Sequence, residues 1–212
     1  MAALEADAIR MAEALKNEPL LLMFSTGKDS IVAGDLMFRY HGNIRPVFLY
    51  FVDGLEIKER VIRFYEKRWN VQIIRRPSAD TMKMLNGKKI TLSQIEAGLR
   101  KEFNIAWTIW GVRRSDSMQR MAIIGKTDRG IDERNRKLYP IGWWKPSDVY
   151  SYCKFHKLIL PIEYQHGFKR DFSNPDGEAL IYLRNTFPDD YRKVIEKFPI
   201  CEQMVWKAEN GC

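Results

Sequence analysis

The apolar run Leu20-Leu21-Leu22-Met23, the turn Phe24-Ser25-Thr26-Gly27-Lys28-Asp29-Ser30 and the helical pattern that starts near Ile31 constrain this chain more than any other feature. A strand that turns through small, hydroxyl-rich residues and one glycine straight into a helix sets the helix's first, unpaired amides at the strand's carboxyl end. Those amides carry partial positive charge, so the turn is a cradle for phosphate. Nucleotide binding is the leading expectation.

The P-loop of kinases and GTPases is excluded on residue grounds. Leu22 stands where its first Gly belongs, and Asp29 stands where its Mg-binding hydroxyl belongs. The stretch instead resembles the pyrophosphate loop of ATP pyrophosphatases, written Ser-Gly-Gly-x-Asp-Ser, with Thr26 in place of the first Gly. That resemblance implies cleavage between the α- and β-phosphates of ATP, the loop holding the β and γ groups as leaving pyrophosphate.

At 212 residues, 45% hydrophobic, the chain can bury one sizeable core. The formal charge of +8 and pI near 9.4 favour anionic ligands, a nucleotide first and a nucleic acid second. Three scattered cysteines, Cys153, Cys201 and Cys212, make neither a disulfide framework nor a Cys-x-x-Cys metal site, and point to a reducing, cytoplasmic setting. Residues 1–17 form an amphipathic pattern through Leu4, Ala8, Met11 and Leu15, and read as neither signal peptide nor membrane span.

Strand-like runs at 44–52, 71–74 and 104–111 alternate with helical patterns at 56–69, 78–85, 91–103 and 147–157. This order predicts an α/β fold, an open and mostly parallel sheet with helices on both faces, Rossmann-like in layout. Ligands of such sheets sit beyond the carboxyl ends of the strands, where the strand order switches. Three predicted strand ends carry suggestive residues: 25–30, Asp53-Gly54, and Gly111 to Arg114. The lysine-tipped turn Asn86-Gly87-Lys88-Lys89 reads as solvated.

Further motifs extend the resemblance. Val52-Asp53-Gly54-Leu55-Glu56 is similar to the Asp-Thr-Gly strand end of the phosphoadenosine phosphosulfate reductase superfamily. The run Gly111-Val112-Arg113-Arg114-Ser115-Asp116-Ser117-Met118-Gln119-Arg120 resembles its Gly-x-Arg-x-x-Glu-Ser-x-x-Arg segment, with Asp116 for Glu. Pro140, Trp144, Asp148-Val149-Tyr150, Leu160-Pro161, Tyr164 and Gly167 follow in family order. The resemblance implies an adenine nucleotide alpha-hydrolase-like fold, with residues 1–168 as the nucleotide-binding domain and 169–212 as a helical extension packed on it.

Residue chemistry assigns roles within that frame. The amides and hydroxyls of Ser25, Thr26, Gly27 and Ser30 suit pyrophosphate oxygens, and Lys28 adds a point charge. Asp29 either caps the helix it opens or holds Mg²⁺ on the phosphates. Arg113, Arg114 and Arg120, beside Gly111, suit bidentate contact with a departing anion. Asp53 either caps the next helix or lines the adenosine pocket. Trp107, Trp110, Trp143 and Trp144 read as core before base-stacking platforms, and His156 and His166 lack the neighbours of a metal site.

The intact Lys28-Asp29-Ser30 resembles the ATP-using branches, namely the small subunit of sulfate adenylyltransferase and the ATP pyrophosphatase of DNA phosphorothioation systems. That implies ATP and Mg²⁺ as cofactors, an adenylated acceptor, and a separate cysteine desulfurase-like sulfur donor as partner, with nucleic acid and a homo-oligomer left open. Two alternatives stand beside it. One is a thioredoxin-dependent sulfonucleotide reductase using Cys212, although the Glu-Cys-Gly-Leu-His element of reductases is absent; the other is a non-catalytic nucleotide- or nucleic-acid-binding module.

Overall fold

The computed structural model describes residues 2–87, 89–165 and 175–211. Its centre is a six-stranded sheet in the order β3-β2-β1-β4-β6-β5, formed by β1 (Leu20–Phe24), β2 (Ile44–Tyr50), β3 (Ile74–Pro77), β4 (Trp107–Trp110), β5 (Ile131–Asp132) and β6 (Lys137–Leu138). All neighbours run parallel except the β5–β6 hairpin at one edge. From β1 the chain winds outward to β2 and β3, then returns to pair β4 on the other side of β1. That reversal puts the switch point between β1 and β4, the position that opens a crevice above the strand ends.

The alternation along β1 explains its two buried faces. Leu20, Leu22 and Phe24 point into the larger core, with α1 (Ala2–Ala14), α2 (Lys28–Tyr40), α3 (Glu56–Trp69) and α7 (Pro146–Phe155). Leu21 and Met23 point the other way, onto Leu99 and Ile105, with α5 (Leu92–Phe103) covering that face. A strand buried on both faces needs no polar alternate, which is why residues 20–24 are apolar throughout. Within the larger core, Trp69 stacks on Phe38 at 4.7 Å and meets Phe24 edge-on at 5.2 Å.

α4 (Ala79–Asn86), the short α6 (Met118–Ile124) and the one-turn α8 (Ile162–Gln165) lie in the connections. α9 (Gly177–Thr186), α10 (Pro188–Lys197) and α11 (Ile200–Asn210) form a third apolar cluster with Phe51, Leu55 and Ile57, so the C-terminal helices close onto the end of β2 and the start of α3.

Several boundaries differ from the sequence reading. The third strand begins at Ile74 rather than Val71 and runs through Arg75 and Arg76. Both arginines are ion-paired, Arg75 with Glu59 and Glu66 and Arg76 with Glu102, and so tolerate a half-buried strand. The paired strands β5 and β6 are two residues each, too short to leave a periodic signal. α11 lies within the stretch expected as a helical extension, and its Cys201, Met204 and Val205 repeat at helical spacing. Lys88, His166, Gly167, residues 168–174 and Cys212 lie outside the described residues.

Candidate active site

A cavity of about 560 Å³ opens at the switch point, within the usual size range of small-molecule sites. One end is polar: Ser25, Gly27, Lys28, Asp29, Ser30, Arg113, Asp116 and Arg120, joined by Lys58, Glu163 and Tyr164. The rest of the lining is largely apolar, formed by Met23, Val47, Leu49, Leu92, Trp110 and Val112. A phosphorylated nucleoside divides in the same way.

Hydroxyls shape the loop from within. Ser30 Oγ donates to Gly27 O at 2.9 Å and accepts from Ser25 N at 3.2 Å and Ser25 Oγ at 3.0 Å. This stitching turns the chain tightly enough for α2 to start at Lys28. The N-cap Gly27 carries no side-chain cap, so the first amides of α2 keep their anion-binding capacity. The Lys28 amide meets the Tyr164 hydroxyl at 3.5 Å.

Thr26 corrects one expectation. Its φ is 63°, the left-handed region that the family's Gly adopts freely and a β-branched residue adopts at a cost. It is fully buried, is not among the lining residues, and its Oγ1 has no hydrogen-bond partner. The hydroxyl therefore lies outside the cavity lining.

The charged groups form a chain. Lys28 Nζ lies 2.6 Å from Asp29 Oδ2, and Arg113 Nε lies 3.1 Å from Asp29 Oδ1. The second contact is an ion pair without hydrogen-bond alignment, which leaves Asp29 Oδ1 and Arg113 Nε and Nη1 buried and without hydrogen-bond partners. Asp116 accepts from Arg113 N at 2.9 Å, pairs with Arg113 Nη2 at 2.7 Å and holds Arg120 Nη1 at 3.0 Å. Asp116 thereby sets both arginines. Buried polar atoms lacking partners cost stability unless a ligand completes them.

Other expected residues sit elsewhere. Asp53 is exposed and outside the cavity lining. It does not cap α3 either, because Asp190 of α10 accepts the Glu56 and Ile57 amides at 2.9 and 2.8 Å. Arg114 is also absent from the lining; its guanidinium lies 4.3 Å over the Trp143 ring. Among the four tryptophans only Trp110 lines the cavity, while Trp144 is core and donates to Leu4 O at 3.0 Å. His156 is built into the fold between Arg39 and Glu5.

Lys58 and Glu163 were not anticipated. Lys58 shares the helix face of Ile62 and Tyr65, and a lysine at an apolar position of an amphipathic pattern is the signal that could have found it. Among the described residues no group of three His, Cys, Asp or Glu side chains could hold a metal ion by itself. Cys153 is buried, and burial pushes its thiol up to about 12 with the Asp29 carboxylate adding to it, which disfavours the thiolate form.

The mostly parallel sheet, with this loop lining the cavity at its switch point, is an α/β fold of the adenine nucleotide alpha-hydrolase-like, PP-loop class. The phosphoadenosine phosphosulfate reductase domain matches residues 19–170, more than half the chain, and the protein belongs to that family. It is 24% identical to the uncharacterized protein MJ0973 of Methanocaldococcus jannaschii over 169 residues, covering 73% of this chain and 40% of that protein. The chain therefore spans less than half the length of this curated relative.

Solved structures share the fold. FMN adenylyltransferase from Candida glabrata, in complex with FAD and inorganic pyrophosphate, superposes with a TM-score of 0.58 at 15% identity, over 80% of this chain and 62% of that one. The phosphoadenylyl-sulfate reductase of Candida auris, a phosphate complex, gives 0.53 at 12% identity, over 79% and 86%. The U34-tRNA thiolase NcsA of Methanococcus maripaludis, solved with its 4Fe-4S cluster, gives 0.52 at 12% identity, over 95% and 78%.

Proposed function

We propose that this protein binds Mg-ATP and cleaves it between the α- and β-phosphates, transferring adenylate to an acceptor in a sulfur-transfer reaction such as DNA phosphorothioation. The carrying observation is the polar lining of the cavity, where the start of α2, without a side-chain cap, carries Lys28 and Asp29 and meets Arg113. The loop amides and Lys28 bind the β- and γ-phosphates. Arg113, fixed by Asp116, meets the charge that grows as pyrophosphate leaves, and Arg120 guards the rim. The apolar wall, with Trp110, receives the nucleoside.

Asp29, whose Oδ1 has no hydrogen-bond partner, would hold Mg²⁺, an ion that commonly takes one or two carboxylates alongside phosphate and water. When bound there, Mg²⁺ neutralises the leaving group. The protein's share of catalysis is then positioning and electrostatics.

The test is calorimetric titration with a non-cleavable ATP analogue and Mg²⁺, beside adenosine 3′,5′-bisphosphate, together with an assay for pyrophosphate release. Preference for the ATP analogue, abolished in Asp29→Ala, supports adenylation. Preference for the bisphosphate overturns it in favour of a sulfonucleotide reductase, with Cys212 as the residue to test.

A further inference from the structure

Tyr164 of α8 reaches the phosphate loop from 136 residues further along the chain. Its hydroxyl accepts the Lys28 amide at 3.5 Å and stands 3.7 Å from the point where a side chain on Gly27 would begin. Both the N-cap of α2 and its first residue therefore lie against the phenol. A separation of 3.5 Å is beyond the usual hydrogen-bond range, so the amide is poorly satisfied by it. An anion drawn to that amide by the start of the helix comes to rest beside the Tyr164 hydroxyl.

The phenol has a donor to offer that anion. Its oxygen accepts from Lys28, and its own proton has no acceptor among the described residues. Burial raises the Tyr164 phenol above its ordinary value, with the Asp29 carboxylate adding to it, so the hydroxyl keeps its proton at neutral pH. Filling the cavity wall asks only for a ring, which a phenylalanine would supply; the hydroxyl is the part that packing does not explain. In the same lining Arg113 Nη1 is buried and also lacks a hydrogen-bond partner. Two donors without acceptors in one cavity call for an anionic ligand.

We propose that Tyr164 is a phosphate-binding residue whose hydroxyl donates to an oxygen of the β- or γ-phosphate held at the start of α2. This rests on the reading of the site as one for ATP. A hydroxyl that donates to a charged oxygen makes a short, charge-assisted bond. Tyr164 therefore adds affinity for the pyrophosphate moiety and none for the nucleoside.

The experiment titrates the wild type and Tyr164→Phe with inorganic pyrophosphate and with AMPCPP, each with Mg²⁺, and with adenosine. Tyr164→Phe keeps the ring and is expected to melt within a few degrees of wild type. Loss of one hydrogen bond to a charged group predicts roughly 10- to 100-fold weaker binding of both pyrophosphate and AMPCPP, with adenosine unchanged. Pyrophosphate binding that is unchanged or tighter in the variant, or a loss that adenosine shares, overturns the role of Tyr164 while the ATP reading stands. A wild type that binds neither pyrophosphate nor AMPCPP overturns both.

Discussion

Gly111 at the end of β4 lies against the backbone of Ser30 at the start of α2: a methyl group on Gly111 would stand 2.4 Å from Ser30 Cα and 2.6 Å from Ser30 N. Bare backbone on both sides lets the strand end carrying Arg113 close onto the loop. The Asp29–Arg113 contact depends on that closeness.

Gly111→Ala is accordingly expected to destabilise the protein by about 1–3 kcal/mol, the usual range for forcing a methyl into packed backbone. It should also weaken ATP-analogue binding by more than the lost stability explains, because α2 has to move. Thermal melts with titration at a temperature where the variant is fully folded separate the two effects. Wild-type affinity in a folded variant would mean the site tolerates the shift.

Thr26 makes the opposite prediction. A β-branched residue at φ 63° with a buried, partnerless hydroxyl is strained twice over. Thr26→Gly should raise stability by roughly 1 kcal/mol, after allowing for glycine's extra freedom in the unfolded chain, and leave nucleotide affinity intact. Chemical denaturation checks the first, calorimetry the second. Loss of affinity would show that the hydroxyl contributes to the site after all.

The loop and its strand were legible in sequence because both signals are local: an apolar run buried on both faces, then residues that only a strand-to-helix turn accommodates. The convergence of 25–30 with Gly111 to Arg120 was legible through the alternating element order, which fixes where strand ends meet. Asp53 misled because its motif marks a strand end, while the cap on α3 comes from Asp190, 134 residues from Glu56. No local pattern encodes a partner so distant. Lys58 and Glu163 escaped for the same reason, being 105 residues apart and meaningful only as a pair.

Arg113 is 8% exposed and stands between Asp29 and Asp116. Arg113→Met leaves two carboxylates facing each other without their shared cation, and about 2–3 kcal/mol of destabilisation is expected, the low side of the buried-pair range because both acids are partly hydrated. Arg113→Lys should recover much of the stability but little of the binding, since an ammonium cannot contact Asp116 and phosphate in a fixed fork. Equal recovery of both in urea unfolding and ligand titration would reduce Arg113 to a structural charge.

The buried cysteines respond to pH in a defined direction. Burial lifts the Cys153 thiol to about 12 and that of Cys201 to about 11, from an ordinary value of 9.0. The folded state holds these protons more tightly than the unfolded one, so their contribution to stability is complete below pH 9 and is lost as pH rises through about 11 to 12. Near pH 8 almost no thiolate exists at either site. In a Cys212→Ser variant, iodoacetamide at pH 8 should therefore add no mass to the native protein and two alkyl groups after denaturation, since three cysteines are present in the chain. Rapid native labelling of Cys153 would place a reactive thiol behind the phosphate loop and reopen the reductase alternative without Cys212.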